Sequence, residues 1–569
     1  MDFITQLAAA LGAHCGMSEH ELIETFTTPP DSKMGDFAFP CFKLAKSMKR
    51  PPPVIAQKLC AALETSGLPA FVERVESAGP YLNFFIRPAR YASAVLDEIR
   101  QSGGRYGTAN TGGGRNVCID YSSINIAKPF HIGHLSSTVI GHALYRIFNH
   151  LGYHSVGINH LGDWGTQFGK LIVAYQKWGD EKAVNEGSVR VLLDLYVRYH
   201  EQAKTDAGLN DEARAWFKRI EDDDPEAIRL FNWFKELTLN DVGRVYDMLG
   251  ITFDSYAGES FYNDKMDRVI EELKAKNLLK LDKGAYIVDL EEYNMPPCIV
   301  LRSDGATLYA TRDLAAAIYR KETYDFAKSL YVVAYQQDLH FRQIFKVLEL
   351  MGYEWARDCV HVSFGMVSVQ DGTLSTRKGK VMFLEDVLNA SVEKTIAIMQ
   401  EKSAELENKK TAAKEVGVGA LIWNTLYNSR IKDVVFSYDK ALNFEGETGP
   451  YVQYTHARCC AVMRRAGAGD EIPAALDYEK LADEAAMRVV RALFAFPRAV
   501  RDAAEKYEPY IVSRAVMALC QAYNKFYYDC RIVGEEPALE KSRLALTAAV
   551  KTVLETGLYL LGLGAPARM

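Results

Sequence analysis

Residues 117–121 are Val117-Cys118-Ile119-Asp120-Tyr121, a short apolar run typical of a buried β-strand. A polar loop follows over 122–134, and apolar residues at helical spacing then predict a helix that ends near Gly152. Residues 154–160 have the pattern of a second strand. Strand, loop, helix and strand in this order form a βαβ unit, which predicts a parallel sheet with a nucleotide-type site at the carboxyl ends of its strands.

Further strand patterns lie outside this unit, and we expect them to extend the same domain. They occur at 299–301, 330–334 and 361–364. Charged helical material over about 176–249 is predicted to be an insertion in the sheet domain. The patterns together predict a multidomain α/β protein in three parts. These are an N-terminal α+β domain at 1–112, a Rossmann-type parallel-sheet domain at 113–415, and a C-terminal all-α helical bundle at 416–569.

Composition excludes several classes of protein. Of the 569 residues, 48% are hydrophobic and 25% are charged, which is ordinary for a globular protein and excludes a disordered chain. No stretch approaches the ~20 apolar residues that a membrane span needs, so we expect no membrane association. The ten cysteines include no Cys-x-x-Cys pair, which argues against a disulfide framework or structural zinc. No Lys or Arg precedes Lys33, so no signal peptide is expected and the protein is predicted to be cytoplasmic.

The loop after the first strand of the sheet domain contains His131-Ile132-Gly133-His134 where the helix begins. Helix N-termini bind phosphate through free N–H groups and the macrodipole. A glycine lets a ligand approach the backbone closely, and two imidazoles can donate hydrogen bonds to phosphate oxygens. Zinc is the alternative for two histidines at this spacing, but no third ligand accompanies them. The tetrapeptide therefore predicts a nucleotide-phosphate site without a metal.

Residues 129–134 resemble the HIGH signature of class I aminoacyl-tRNA synthetases. The preceding residues 122–130 resemble the version found in arginine–tRNA ligases. Further resemblances to that family lie at 162–169, 308–313, 336–341, 443–454 and 564–569. The resemblance implies that the sheet domain is catalytic, that the N-terminal domain contacts tRNA and that the C-terminal helices bind the anticodon.

The same resemblance implies a reaction and its partners. L-arginine would be joined to tRNA(Arg) through an arginyl-adenylate, with ATP as a substrate accompanied by Mg²⁺, and AMP and pyrophosphate would be released. We expect a monomer. Two alternatives are a non-catalytic tRNA-binding paralogue and another class I synthetase or nucleotidyltransferase. The intact Lys128 and HIGH histidines argue against the first, and the acidic residues of the implied substrate pocket argue against the second.

The second class I signature, KMSKS, is degenerate in this chain. Residues 372–379 correspond to it, and Thr373 and Thr376 stand where the lysines would be. The reaction still needs a cation that holds the triphosphate and offsets charge as pyrophosphate leaves. The resemblance implies that the lysine before HIGH takes this role, so we favour Lys128 over Arg377 and Lys378. The predicted catalytic residues are Lys128, His131 and His134, and the predicted ATP-binding residues are His131, Gly133, His134, Ser375, Arg377 and Lys378.

A site for arginine must supply carboxylates and aromatic faces, because a guanidinium has five fixed donors and keeps its charge. Two acidic residues, Glu259 and Asp313, fall in blocks that resemble the substrate pocket of the family. The resemblance also places Tyr309 near the guanidinium. It assigns Asn125 and Gln337 to the amino and carboxylate groups of the substrate.

Overall fold

A computed structural model of the chain describes residues 3–302, 309–369, 382–402, 409–469 and 471–569. The chain divides into two compact units. The first comprises Met1–Tyr106, Cys459–Ala495 and Ala518–Val553, and the second comprises Gly107–Arg458, Phe496–Met517 and Leu554–Met569. Both units combine segments that are distant in sequence. The domain boundaries predicted at 112 and 415 remain predictions, because each compact unit is made of three separate segments of the chain.

Regular elements are numbered in chain order. The strands are β1 Phe37–Pro40, β2 Val72–Ala78, β3 Tyr81–Ile86, β4 Asn116–Asp120, β5 His154–Ile158, β6 Leu279–Asp282, β7 Ala285–Val288, β8 Cys298–Leu301, β9 Lys328–Tyr331, β10 Cys359–His361, β11 Val367–Val369 and β12 Val434–Phe436. The helices are α1 Phe3–Cys15, α2 Glu19–Thr25, α3 Leu44–Met48, α4 Pro52–Ser66, α5 Pro88–Ser102, α6 Leu135–His150, α7 Gln167–Trp178, α8 Glu181–Gln202, α9 Gly208–Glu221, α10 Pro225–Leu249, α11 Met266–Ala275, α12 Tyr309–Tyr324, α13 Asp338–Leu350, α14 Leu384–Lys402, α15 Lys409–Leu426, α16 Tyr438–Ala441, α17 Gly449–Ala466, α18 Glu484–Lys506, α19 Tyr510–Asp529 and α20 Pro537–Leu561.

The first unit contains a three-stranded antiparallel sheet in the order β1-β3-β2, covered by the N-terminal helices. Its core is aromatic, with the ring of Phe3 within 6.2 Å of Phe37 and 5.9 Å of Phe494 between ring centroids. The buried carboxylate of Asp36 accepts the N–H of Ile86 at 2.8 Å and the Nε–H of Arg491 at 2.7 Å. This ion pair joins the sheet to α18 within the unit.

The second unit is built on a parallel sheet in the order β10-β9-β4-β5. Helix α6 makes the crossover from β4 to β5, which confirms the predicted βαβ unit. The chain then returns to β9 on the other side of β4. Because β4 has its sequential partner on one side and a later strand on the other, the carboxyl end of β4 lies at a topological switch point, where α/β proteins bind ligands.

The strand pattern at 299–301 belongs to a different sheet from the one predicted. β8 pairs with β7 in a separate antiparallel sheet, in the order β6-β7-β8. The reason is a two-residue turn, in which Lys283 has φ 46° and Gly284 has φ 80°. Two consecutive residues with positive φ favour a tight hairpin, which makes β6 and β7 antiparallel neighbours and leaves β8 to pair beside them.

Helices α8 to α10 lie within the helical insertion predicted at about 176–249, and α7 begins before it, at Gln167. The C-terminal part is helical, as predicted, and α20 is its longest apolar helix by composition. By length and composition α20 could cross a membrane, but 72% of its most apolar 18-residue stretch is buried within the protein. Such burial is typical of a core helix.

Candidate active site

The candidate site lies at the carboxyl edge of the parallel sheet. The loop 121–134 follows β4, residues 159–163 follow β5, and residues 332–337 follow β9. Asn125 forms an isolated parallel bridge with Gly162, so the loops after β4 and β5 are in direct contact. A Cβ at Gly162 would lie 2.5 Å from Asn125 Oδ1, so a larger residue there would displace the Asn125 side chain.

The loop after β4 contains non-glycine residues in the left-handed region. Ser122 has φ 68°, Ser123 has φ 45° and Ala127 has φ 58°. Each such residue costs about 1–3 kcal/mol and persists only where its surroundings fix it. Here Ser123 Oγ donates to Asp120 Oδ1 at 2.6 Å, and the N–H of Ala127 donates to Thr238 Oγ1 on α10 at 3.0 Å. The helical insertion therefore helps to hold the loop.

Each imidazole of the HIGH segment accepts a backbone N–H at its Nδ1 atom. The N–H of His131 donates to His134 Nδ1, and the N–H of Gly133 donates to His131 Nδ1, both at 3.1 Å. Because each Nδ1 accepts a hydrogen bond, the neutral ring carries its proton on Nε2. The ring centroids lie 4.0 Å apart. The pair therefore offers two Nε2–H donors side by side.

Both rings stay neutral at physiological pH. Burial lowers the pKa of His131 to about 4. Burial also lowers the pKa of His134 to about 3, and the nearby charges of His131 and Lys128 act in the same direction. Lys128 is half-buried in the loop, and its positive charge is close enough to His134 to lower the pKa of that ring. A neutral imidazole can donate a hydrogen bond to a phosphate oxygen without becoming a cation.

The structure corrects one expectation about this helix start. The sequence predicted free N–H groups for phosphate, but those of His131 and Gly133 donate to Nδ1 atoms. The N–H of His134 donates to His131 O at 2.8 Å, and that of Ile132 donates to Met382 O at 3.2 Å. These N–H groups are thus already occupied. The Nε2–H groups are left as the donors that this tetrapeptide offers a phosphate.

The chain after the degenerate signature lies against the HIGH segment. The N–H of Leu384 donates to Phe130 O at 2.9 Å, and Phe383 forms an antiparallel bridge with His131. Sequence spacing gave no signal for this contact. The predicted ATP-binding residues Ser375, Arg377 and Lys378 lie outside the described residues.

A carboxylate and an imidazole meet on α12 and α13. His340 Nε2 lies 2.6 Å from Asp313 Oδ2. Burial by itself would raise the pKa of Asp313, but the hydrogen bond from His340 and the charges of His340, His160 and Arg320 outweigh it and hold that pKa below its usual range. Asp313 is therefore ionised at physiological pH. His340 was not predicted, although it lies in the block at 336–341 that resembles the family.

Glu259 is the second predicted carboxylate. It begins a short 3-10 segment, Glu259–Lys265, that follows Gly258. Burial raises the pKa of Glu259 to about 7, with Asp313 and Asp163 adding to the rise and Arg312 opposing it. Glu259 and Asp313 are thus close enough to interact electrostatically, as a shared guanidinium site requires.

The remaining predicted substrate residues are exposed. Tyr309 is the first residue of α12 and is 63% exposed. Asn125 and Gln337 are also exposed, the latter at the end of the short turn Tyr335–Gln337 after β9. That these residues bind one substrate remains a prediction from the sequence.

Asp163 holds the Glu259 loop in place and was missed by the sequence analysis. Its fully buried side chain accepts from Ser260 N–H at 2.8 Å, Ser260 Oγ at 2.7 Å and Lys235 Nζ at 2.6 Å. A second buried pair, Asp120 with Arg320 at 2.8 Å, lies at the end of β4. The partners are far apart in the chain, so spacing could not reveal either pair.

Three family models match this chain. The catalytic domain of class I (R) tRNA synthetases matches residues 96–438. The arginyl tRNA synthetase N-terminal domain matches residues 2–86, and the DALR anticodon-binding domain matches residues 452–569.

Relatives match along the whole chain. The arginine–tRNA ligase of Alkaliphilus metalliredigens is 52% identical over 571 residues, covering 100% of both chains. That of Halothermothrix orenii is 52% identical over 553 residues, covering 97% of each. The solved arginyl-tRNA synthetase of Thermus thermophilus has the same fold, with a TM-score of 0.80, 24% identity and 100% coverage of both chains. The chain therefore belongs to the arginine–tRNA ligases, a family of class I aminoacyl-tRNA synthetases.

Proposed function

We propose that this protein joins L-arginine to tRNA(Arg) in two steps. The arginine carboxylate attacks the α-phosphorus of ATP, giving arginyl-adenylate and pyrophosphate. The terminal adenosine hydroxyl of the tRNA then attacks the carbonyl carbon of the anhydride, and AMP leaves. The observation that supports this most is the placement of two interacting carboxylates, Glu259 and Asp313, at the same sheet edge as the paired imidazoles.

Phosphate binding falls to His131, His134 and Lys128. The two Nε2–H groups donate to phosphate oxygens, and their neutral state keeps them donors across the physiological range. Lys128 offsets the charge that grows as pyrophosphate departs. Gly133 contributes by carrying no side chain into the space beside the rings. Ser375, Arg377 and Lys378 remain proposed ATP ligands from the sequence.

Arginine binding falls to the carboxylate pair and the residues around it. Asp313, which His340 orients, pairs with the guanidinium. Glu259 pairs with it as well, and its position is fixed because the neighbouring Ser260 donates its N–H to Asp163. Tyr309 covers the guanidinium with its ring, as planar cations stack on aromatic faces. Asn125 and Gln337 hold the amino and carboxylate groups, which directs the carboxylate toward the phosphates.

Among the residues that the structure describes, no group of three or more His, Cys, Asp or Glu side chains is placed to hold a metal ion. We propose that Mg²⁺ is held by the ATP phosphates, where it neutralises their charge. We also propose that the protein acts as a cytoplasmic monomer. Its N-terminal domain and C-terminal helices would contact the tRNA.

Arginine-dependent exchange between ATP and labelled pyrophosphate, measured with tRNA present, tests the function. Labelled ATP that forms only with arginine supports the proposal. Exchange that requires another amino acid, or none, contradicts it.

A further inference from the structure

Two arginines of the helical insertion contact the start of α14. Arg190 Nη2 lies 2.7 Å from Asp386 Oδ1, and Arg244 Nε lies 3.0 Å from Glu385 Oε1. The guanidinium of Arg190 also lies over the ring of Phe383, 4.0 Å from its centroid. Both arginines thus bind the segment 383–386, which is the segment that pairs with the HIGH residues.

The insertion is built to present these arginines. Helix α8 is broken at Ser188, which has φ 48° and ψ −133°. After the break, the N–H of Val189 donates to Asp241 Oδ2 at 3.1 Å, so α10 caps the second half of α8. The other oxygen of Asp241 accepts from Arg244 Nη2 at 2.9 Å. One carboxylate therefore fixes the direction of α8 and the position of Arg244. A non-glycine break of this kind persists only where its surroundings hold it.

The arginine contacts reach the predicted phosphate site. A surface pocket is lined by Lys128, Phe130, Arg190, Asp241, Phe383 and Glu385, among others. Phe383 bridges to His131 and the N–H of Leu384 donates to Phe130 O. His131 is therefore bridged to Phe383, which Arg190 contacts, and Lys128 lines the same pocket as Phe383 and Arg190.

We propose that Arg190 and Arg244 are positioning residues for adenylate formation. Together with Asp241 they hold the segment 383–386 against 130–132, and this keeps His131 and Lys128 directed at the ATP phosphates. The inference rests on the proposed function. It gives the insertion a role in the chemistry, because residues on α8 and α10 set the geometry of a loop on the parallel sheet.

The two acidic partners lie in the first turn of α14, where the helix dipole favours carboxylates. Helix α14 is therefore expected to form without the arginines. The Arg190–Asp386 pair is exposed and the Arg244–Glu385 pair is partly exposed, so each contributes little to stability. Removing them should loosen the segment rather than unfold the protein. The effect should appear in the ATP-dependent step and leave arginine binding unchanged, since Glu259 and Asp313 lie on other elements.

The test compares Arg190→Ala, Arg244→Ala and the double variant with Arg198→Ala. Arg198 is the matched control, since it also lies on α8 but its guanidinium is over Trp178, 4.8 Å from the ring centroid. Pyrophosphate exchange and thermal unfolding are measured for each, with full-length protein, arginine and tRNA. We expect the double variant to lose at least about tenfold in kcat or to gain as much in ATP KM, with arginine KM and Tm close to those of the control.

Arg190→Asp combined with Asp386→Arg re-forms the ion pair in reverse and should recover part of the loss caused by Arg190→Asp alone. Three results would overturn the proposal. The arginine variants could behave like Arg198→Ala, they could change arginine KM as much as ATP KM or kcat, or the swapped pair could recover no activity. If the double variant does not fold, the single variants decide by the same criteria. Wild-type protein that does not activate arginine would instead contradict the proposed function, and the positioning role would fall with it.

Discussion

Asp313 on α12 and His340 on α13 are joined by a hydrogen bond of 2.6 Å between Oδ2 and Nε2. Helix α12 follows β8 and α13 follows β9, so the contact connects separate parts of the second unit. It holds the pKa of Asp313 low despite the effect of burial. An ionised, oriented carboxylate is the group that recognition of a permanent cation requires.

Replacing Asp313 with Asn should weaken arginine binding strongly, because it keeps the volume and removes the charge. Loss of one partner from a desolvated charge pair costs about 2–5 kcal/mol, which corresponds to a rise in arginine KM of at least about 30-fold. ATP KM should change little. Steady-state pyrophosphate exchange at varied arginine and ATP measures both. An unchanged arginine KM would leave Asp313 with only the role of binding His340.

Replacing His340 with Ala should also raise arginine KM, because Asp313 loses the hydrogen bond that orients it and that helps to hold its pKa low. A hydrogen bond to a charged group contributes about 1.5–3 kcal/mol, so an increase of at least about tenfold is expected. His340→Gln provides the control, because its amide can still donate to Asp313 and should restore part of the affinity. If the Ala and Gln variants behave alike, orientation of Asp313 is not what His340 contributes.

Arginine KM should fall as pH rises from about 6 to 8. The pKa of Glu259 is raised to about 7, chiefly by burial, so the side chain is neutral below that pH and ionised above it. A guanidinium stays charged over this range and pairs with the ionised form. Below pH 7 the change should approach tenfold per pH unit, with a plateau above 8.

Glu259→Gln should remove this pH dependence and keep arginine KM high throughout. His131 and His134 do not contribute in this window, because burial lowers their pKa values to about 4 and about 3. A KM profile that is unchanged in the Gln variant would assign the titration to another group.

Lys128→Ala should reduce activation far more than Thr376→Ala or Lys378→Ala. One preorganised electrostatic contact is worth roughly 10²–10³ in kcat. The loss should appear in kcat more than in ATP KM, because the charge that Lys128 meets grows as pyrophosphate departs. Lys128→Arg should recover only part of the lost kcat, because a planar guanidinium does not replace a compact ammonium. A severe Lys378→Ala variant beside a near-normal Lys128→Ala would place the cation in the 373–379 loop.

The βαβ unit was predictable because its signals are local. A buried strand, a polar loop and a periodic helix follow one another between Val117 and His160, and the structure has β4, α6 and β5 there. The run at 299–301 was recognised as a strand, but an apolar run does not say which sheet it joins. In the structure this strand pairs with β7, which forms a hairpin with β6 at Lys283-Gly284.

The site was predictable only in part. Residue types and family resemblance selected Asp313 and the HIGH histidines, whereas their partners depend on the folded chain. The sequence could not show that His131 Nδ1 accepts the N–H of Gly133, which removes that N–H from phosphate binding. The contact between Arg190 and Asp386 spans 196 residues and leaves no periodic signal.

The central claim is that this protein charges tRNA with arginine. The direct measurement is aminoacylation of total tRNA by the purified full-length protein, with each of the twenty amino acids supplied separately in labelled form with ATP and Mg²⁺. The account predicts that arginine alone becomes acid-precipitable with tRNA, and that Asp313→Asn greatly reduces this product at limiting arginine. Charging with another amino acid, or no charging with arginine by a correctly folded protein, would contradict it.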